Sequence, residues 1–153
     1  MIDTELRVSK IEDGTVIDHI TGGQALNVLA IIGIDGSSGE EVSIGMNVPS
    51  DRLGRKDIVK VEGRELSQNE VDVLSLIAPA ATINIVRDFE VVEKHRVTRP
   101  ETVVGVLSCP NANCISTADE PIESRFDVLD EGVRCTYCET IIRDSIASHI
   151  SAA

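Results

Sequence analysis

Aromatic residues are nearly absent from this chain: of 153 residues two are Phe, one is Tyr and none is Trp. Phe89, Phe126 and Tyr137 cannot supply the stacked rings on which single-stranded nucleic acid lies. Basic residues are also few. Lys and Arg total 14 against 26 Asp and Glu, a net charge of −12, and only Lys10, Lys56, Lys60 and Lys94 are lysines. Duplex nucleic acid and anionic membrane bind through phosphates neutralised by Lys and Arg, so neither is expected as a partner. The longest apolar run, Val28–Ile34, falls far short of the roughly 20 residues that span a bilayer. The opening residues MIDTELRVSK show no basic segment leading into an apolar one, so the chain is expected to be soluble and cytoplasmic. No G-x-S-x-G, Walker loop or H-E-x-x-H is present, and no nucleophile stands beside a base. These absences point to a binding or regulatory module.

Apolar residues make up 42% of the chain, enough to fill a core. A carboxylate-dense, lysine-poor surface suits either a protein working at high salt or an ordinary acidic cytoplasmic one. Thr15–Ile20 reads as a strand. Thr21-Gly22-Gly23-Gln24 then opens a helix whose Ala25, Leu26, Leu29, Ala30 and Ile32 follow a 3.6-residue period. Val42, Ile44, Met46 and Val48 alternate with polar or small residues as a half-buried strand ended by Pro49. After a loop over 50–55, residues 57–62 form a short strand. Ser67 and Glu70 make a capping box ahead of Val71, Val73, Leu74 and Ile77, and Pro79 ends that helix. Thr82–Val97 supplies a last strand, or a hairpin bent near Arg87-Asp88. The order β-α-β-β-α-β predicts an α+β, ferredoxin-like sandwich, with an antiparallel sheet and both helices on one face.

Residues 98–102 read as a connector around Pro100. Residues 103–153 hold few large apolar side chains and need a staple. All four cysteines lie there: Cys109-Pro-Asn-Ala-Asn-Cys114 and, 20 residues on, Cys135-Thr-Tyr-Cys138. Two close pairs at this separation suit one tetrahedral zinc, with two disulfides or an iron–sulfur cluster as the alternatives. Four thiolates leave no open coordination position, so the zinc is expected to be structural, and its removal to unfold 103–153.

The lysines are the other unusual distribution. Lys56 and Lys60, four apart on a strand, share a face. In this topology the first and third strands are adjacent, which brings Asp18 and His19 beside Lys60. Lys94 lies near the end of the last strand, and Lys10 precedes the first. Ammonium groups and imidazolium suit phosphate, and Asp18 suits sugar hydroxyls, which together describe a hydroxylated anion. The alternative is a set of solvated charges pairing with Asp57, Glu62 and Glu90.

Five segments, Gly14-Thr-Val-Ile-Asp-His-Ile20, Ile44-Gly-Met-Asn-Val-Pro-Ser50, Gly54-Arg-Lys-Asp57, Ala78-Pro-Ala-Ala-Thr-Ile-Asn84 and Cys109-Pro-Asn-Ala-Asn-Cys-Ile115, closely resemble the regulatory chain of aspartate carbamoyltransferase. The likeness runs nearly end to end. It implies a noncatalytic chain with a nucleotide-binding allosteric domain over 1–99 and a zinc domain over 103–153 that contacts the catalytic chain. It further implies paired regulatory chains in an assembly of two catalytic trimers and three regulatory dimers, controlled by CTP, ATP and UTP. Asp18 and Lys60 are then expected at the ribose and His19 and Lys94 at the phosphates. Ile11, Asn84 and Val91 are expected around the base, and Lys56 near the phosphates or a second nucleotide. Asn111, Asn113 and Glu139 are expected at the catalytic-chain interface. Phe89 replaces a frequent tyrosine, Ser9 a commonly acidic residue, and Thr136 and Thr140 replace lysines. The rival class is a zinc-ribbon adaptor binding protein or nucleic acid, but in residues 101–153 only Arg125, Arg134 and Arg143 face nine acidic side chains.

Overall fold

The computed structural model describes residues 11–37, 39–51, 53–117 and 122–150, so Ser9 and Lys10 lie outside the described residues. The elements in chain order are β1 (Gly14–Thr21), α1 (Ala25–Ile31), β2 (Val42–Ser50), β3 (Gly54–Glu62), α2 (Gln68–Ile77), β4 (Thr82–Arg87), β5 (Glu90–Arg96), β6 (Thr102–Val104), β7 (Arg125–Leu129), β8 (Gly132–Cys135) and β9 (Ile141–Ile142). The first five strands form one antiparallel sheet in the order β2-β3-β1-β4-β5, and the last four a second sheet in the order β6-β7-β8-β9.

The first sheet has the expected strand arrangement plus one extra edge strand. Residues 82–97 are a hairpin: Asp88 and Phe89 take left-handed conformations (φ 55° and 65°) between the paired Arg87 and Glu90. β3 begins at Gly54, earlier than expected, because the turn after β2 is tight. Pro49 stays within β2, which an edge strand tolerates. Gly14 starts β1 at φ 149° with its α-carbon so close to β3 that a Cβ there would stand 2.1 Å from the Val61 carbonyl oxygen.

Ile17 and Ile20 on β1, Val59 and Val61 on β3, and Ile83 and Ile85 on β4 point to one face. Ala25, Val28, Leu29 and Ile32 of the α1 segment and Val71, Leu74 and Ile77 of α2 close over them. The capping box at α2 is present, with the Ser67 hydroxyl accepting the Glu70 N–H and the Glu70 carboxylate accepting the Ser67 N–H. Two periodicities mislead. Leu26 is 61% exposed although it fits the helical repeat, and Ile44 and Met46 are each 42% exposed because β2 is an edge strand whose bulge breaks the alternation.

A second core gathers Val103, Val106, Leu107, Phe126, Val133, Ile142 and three of the cysteines, and it borrows Val73 and Leu76 from the outer flank of α2. In the turn that follows β9, Ala147 packs on the first core, whereas Ile150 touches both and also pairs with Leu107. α2 is therefore apolar on two flanks and joins the two sheets.

Candidate functional site

The sheet face away from the helices is open, and the strand register decides what it carries. Opposed residues in an antiparallel sheet share a face. Lys94 pairs with Asn84, Asn84 with Val16, Val16 with Lys60 and Lys60 with Ser43, a single row across all five strands. At about 4.8 Å per strand, Lys60 and Lys94 stand roughly 14–15 Å apart across a floor of Val16 and Asn84. The Asn84 amide donates to the Val16 carbonyl at 3.3 Å, which fixes that floor. The next row holds Asp18, Thr82 and Arg96.

A bulge makes the site's centre. Between the pairs Ile17–Val59 and Ile20–Asp57, β1 has two residues, Asp18 and His19, where β3 has only Ile58. His19 accordingly takes a left-handed backbone (φ 57°), its N–H donates to Asp18 Oδ1 at 2.6 Å, and its Nδ1 lies 3.0 Å from Thr82 Oγ1. The bulge also gives Asp18 an ion-pair partner that the sequence reading did not name: Lys56, with Nζ 3.0 Å from Oδ1, while Lys60 lies opposite Val16, two residues along β1 from Asp18. Asp57, a solvated partner for lysine in the alternative reading of the sequence, is wholly buried and points to the other face.

Of the remaining residues singled out for the site, Ile11 is buried just before β1. Val91 is exposed on β5 opposite Val86, on the flank of Asn84, and Lys94 is exposed while Lys56 and Lys60 are half-buried. Thr82 and Arg96 share the face without having been singled out. Arg96 carries the one available signal, its place two residues beyond Lys94 on a strand. A cleft of about 320 Å³ lies elsewhere, between the helices and the second sheet, lined by Asn27, Ile31, Val73, Val106 and Ile150. It has no cation among its lining residues, so it does not suit an anion.

The four cysteine sulfurs lie within 4.8 Å of one another. Cys109–Cys138 and Cys114–Cys135 are each 3.6 Å apart, sulfur to sulfur. Two thiolates on a tetrahedral zinc at about 2.3 Å stand about 3.8 Å apart, whereas a disulfide needs about 2.05 Å. All four are free thiols, so the donor set fits one structural zinc and not two disulfides. Short turns aim the sulfurs: the Cys114 N–H donates to the Asn111 carbonyl, and the Glu139 N–H to the Cys135 carbonyl. Burial pushes the Cys109 thiol up to about 12 and raises that of Cys135, while hydrogen bonds from Thr140 pull Cys138 down to about 6. Asn113 and Glu139 are exposed beside these turns. Asn111 is half-buried, with its side-chain oxygen on the Asn113 N–H.

Comparison with known proteins agrees with both halves. Residues 6–98 match the family model "aspartate carbamoyltransferase regulatory chain, allosteric domain", and residues 101–148 match that of the "metal binding domain" of the same chain. This protein belongs to the family of aspartate carbamoyltransferase regulatory chains. The regulatory chain of Natronomonas pharaonis is 84% identical over 153 residues, covering all of both chains. That of Haloarcula marismortui is 75% identical over 150 residues, 98% of this chain and 97% of the relative. That of Methanoculleus marisnigri is 57% identical over 145 residues, 95% and 94% of the two. In family terms, the open face belongs to the allosteric domain and the four sulfurs to the metal-binding domain.

Proposed function

We propose that this regulatory chain binds nucleotides on the open face of its five-stranded sheet and, without catalysing a reaction itself, controls a catalytic chain of aspartate carbamoyltransferase in cytoplasmic pyrimidine biosynthesis. The observation that carries the reading is the row from Lys60 to Lys94. In a chain of charge −12, two of its four lysines flank one trough, with Asp18 and His19 in the adjoining bulge and Lys56 of β3 ion-paired to Asp18. That spacing suits a ligand as long as a nucleoside triphosphate. Asp18 and Lys60 take the ribose, and His19 and Lys94 the phosphates. Ile11, Asn84 and Val91 take the base, and Lys56 lies near the phosphates or a second nucleotide.

The assembly follows from two further surfaces. Among the described residues β2 is an edge strand exposing Ile44 and Met46, which suits strand-to-strand pairing with a second regulatory chain. Asn111, Asn113 and Glu139 at the metal turns face the catalytic chain, in an assembly of two catalytic trimers and three regulatory dimers. We divide the chain at 1–99 and 103–153 accordingly. CTP, ATP and UTP act by binding one state of the assembly better than the other, because a ligand shifts an equilibrium only by its differential affinity. Coupling has a physical route: α2 packs on the nucleotide-binding sheet with one flank and on the zinc core with the other.

The test is calorimetric titration of the purified chain with CTP, ATP and GTP at low and high salt. Saturable CTP and ATP binding that Lys60→Ala or Lys94→Ala abolishes is expected. Equal binding by those variants refutes the site.

A further inference from the structure

Asp57 is the one buried charged side chain among the described residues, and the binding site leaves it unused. A carboxylate with no access to water is tolerated only when donors satisfy its oxygens. Here they come from three backbone N–H groups in two separate segments. Oδ2 accepts from Gly23 at 2.9 Å and from Ala25 at 2.8 Å, and Oδ1 accepts from Asn47 at 2.8 Å.

The location of those segments is informative. Asp57 pairs with Ile20, the residue that closes the β1 bulge carrying Asp18 and His19. On its other side, β2 has Met46 and Asn47 where β3 has only Asp57, so a second bulge faces it. The bulges hold His19 at φ 57° and Asn47 at φ 55°, left-handed conformations that are uncommon outside glycine and that His and Asn tolerate better than most residues. The two segments also touch, since a Cβ on Gly22 would stand 3.1 Å from Asn47 Oδ1. One carboxylate on the core face thus anchors the turn that follows β1, the first residue of α1 and the β2 bulge, while its own backbone pairs with Ile20 at the edge of the β1 bulge. The neighbouring residue in β3, Lys56, meets Asp18 on the open face.

We propose that Asp57 is a positioning residue for the open-face site: it never touches the ligand, and it holds the backbone that presents Asp18, His19 and Lys56. The ligand part rests on the nucleotide reading above; the positioning part does not. Asp57→Asn keeps the shape but replaces one acceptor oxygen with an NH2 group. Either the Gly23 and Ala25 amides or the Asn47 amide then face a donor, and a bulge relaxes.

The experiment compares the full-length wild type, Asp57→Asn and Leu74→Ala, a control destabilised in α2, all well below their melting temperatures. CTP affinity is measured by calorimetry and the His19 ring resonances by NMR. The expected result is CTP binding at least tenfold weaker and displaced His19 resonances in Asp57→Asn, with neither change in Leu74→Ala. Wild-type affinity and unmoved His19 resonances in Asp57→Asn overturn the proposal. If the wild type itself does not bind CTP, the nucleotide reading fails, and the His19 resonances alone decide the positioning role. If Asp57→Asn does not fold, amide exchange in the wild type decides. Exchange of Gly23, Ala25 and Asn47 as one unit supports the shared anchor, and exchange of Asn47 more than about tenfold faster than the other two overturns it.

Discussion

Stripping zinc from the intact chain with a chelator is expected to unfold the second sheet and leave the first folded but weaker. Structural zinc couples about 10–16 kcal/mol to the folding of small modules, against about 5–15 kcal/mol for the whole stability of an ordinary domain. Around the four sulfurs, among the described residues, only Phe126, Leu107 and Val133 are large side chains buried to below 2% exposure, too few for apolar packing to replace the metal. The consequence for the first sheet follows from α2. Its Val73 and Leu76 are covered by the zinc core, and uncovering them returns two side chains to water at about 1.5–3 kcal/mol each. The sandwich therefore loses up to about 3–6 kcal/mol but keeps its own core under Leu74, Val28 and Ile32. Tyr137 lies between two zinc ligands and is the only Tyr in a chain without Trp, so the tyrosine band of the near-ultraviolet spectrum reports on the metal module alone. Chelation should abolish that signal and amide protection from Phe126 to Cys135, while far-ultraviolet helicity from α1 and α2 remains. A metal-free chain that keeps its protection across β7 and β8, or one that loses both sheets together, refutes the reasoning.

Three substitutions test other parts of the account. Cys138 ionises at about 6 rather than 9.0 because Thr140 hydrogen-bonds its sulfur. A lowered pKa favours the thiolate above it and is lost as pH falls through it, so Thr140→Val is expected to move acid-induced zinc release to higher pH, read with a colorimetric chelator. Phe126→Ala removes the largest fully buried side chain and is expected to cost about 3–5 kcal/mol by denaturant unfolding of the zinc-loaded chain. Ser67→Ala breaks the capping box and is expected to cost about 1 kcal/mol in the melt of the first sheet, with no change in zinc content.

What the residues reveal in advance depends on how local the cause is. The α2 cap is legible because its two side chains sit three residues apart and satisfy each other's backbone. The metal site is legible because cysteine spacing is itself the geometry of two short turns. The hairpin between β4 and β5 is legible only as one of two readings, a bend near Arg87-Asp88 or a single strand, because Asp-Phe supplies its left-handed positions without a glycine to announce them. Ile44 and Met46 alternate like a half-buried strand, yet nothing local says that β2 lies at an edge. The Asp18–Lys56 pair depends on one bulge that shifts the register. Asp57 is the hardest case: its charge argues for the surface, and only three amides brought from distant segments make burial possible.

On the proposed function, nucleotide on the open face controls a catalytic partner through this chain. The most direct measurement is the half-saturating aspartate concentration of the chain reconstituted with catalytic trimer, with and without CTP or ATP, for the wild type and Lys60→Ala. Opposite shifts with the two nucleotides in the wild type, both absent from the variant, are the predicted result. Shifts that survive Lys60→Ala, or a reconstituted wild type that ignores both nucleotides, contradict it.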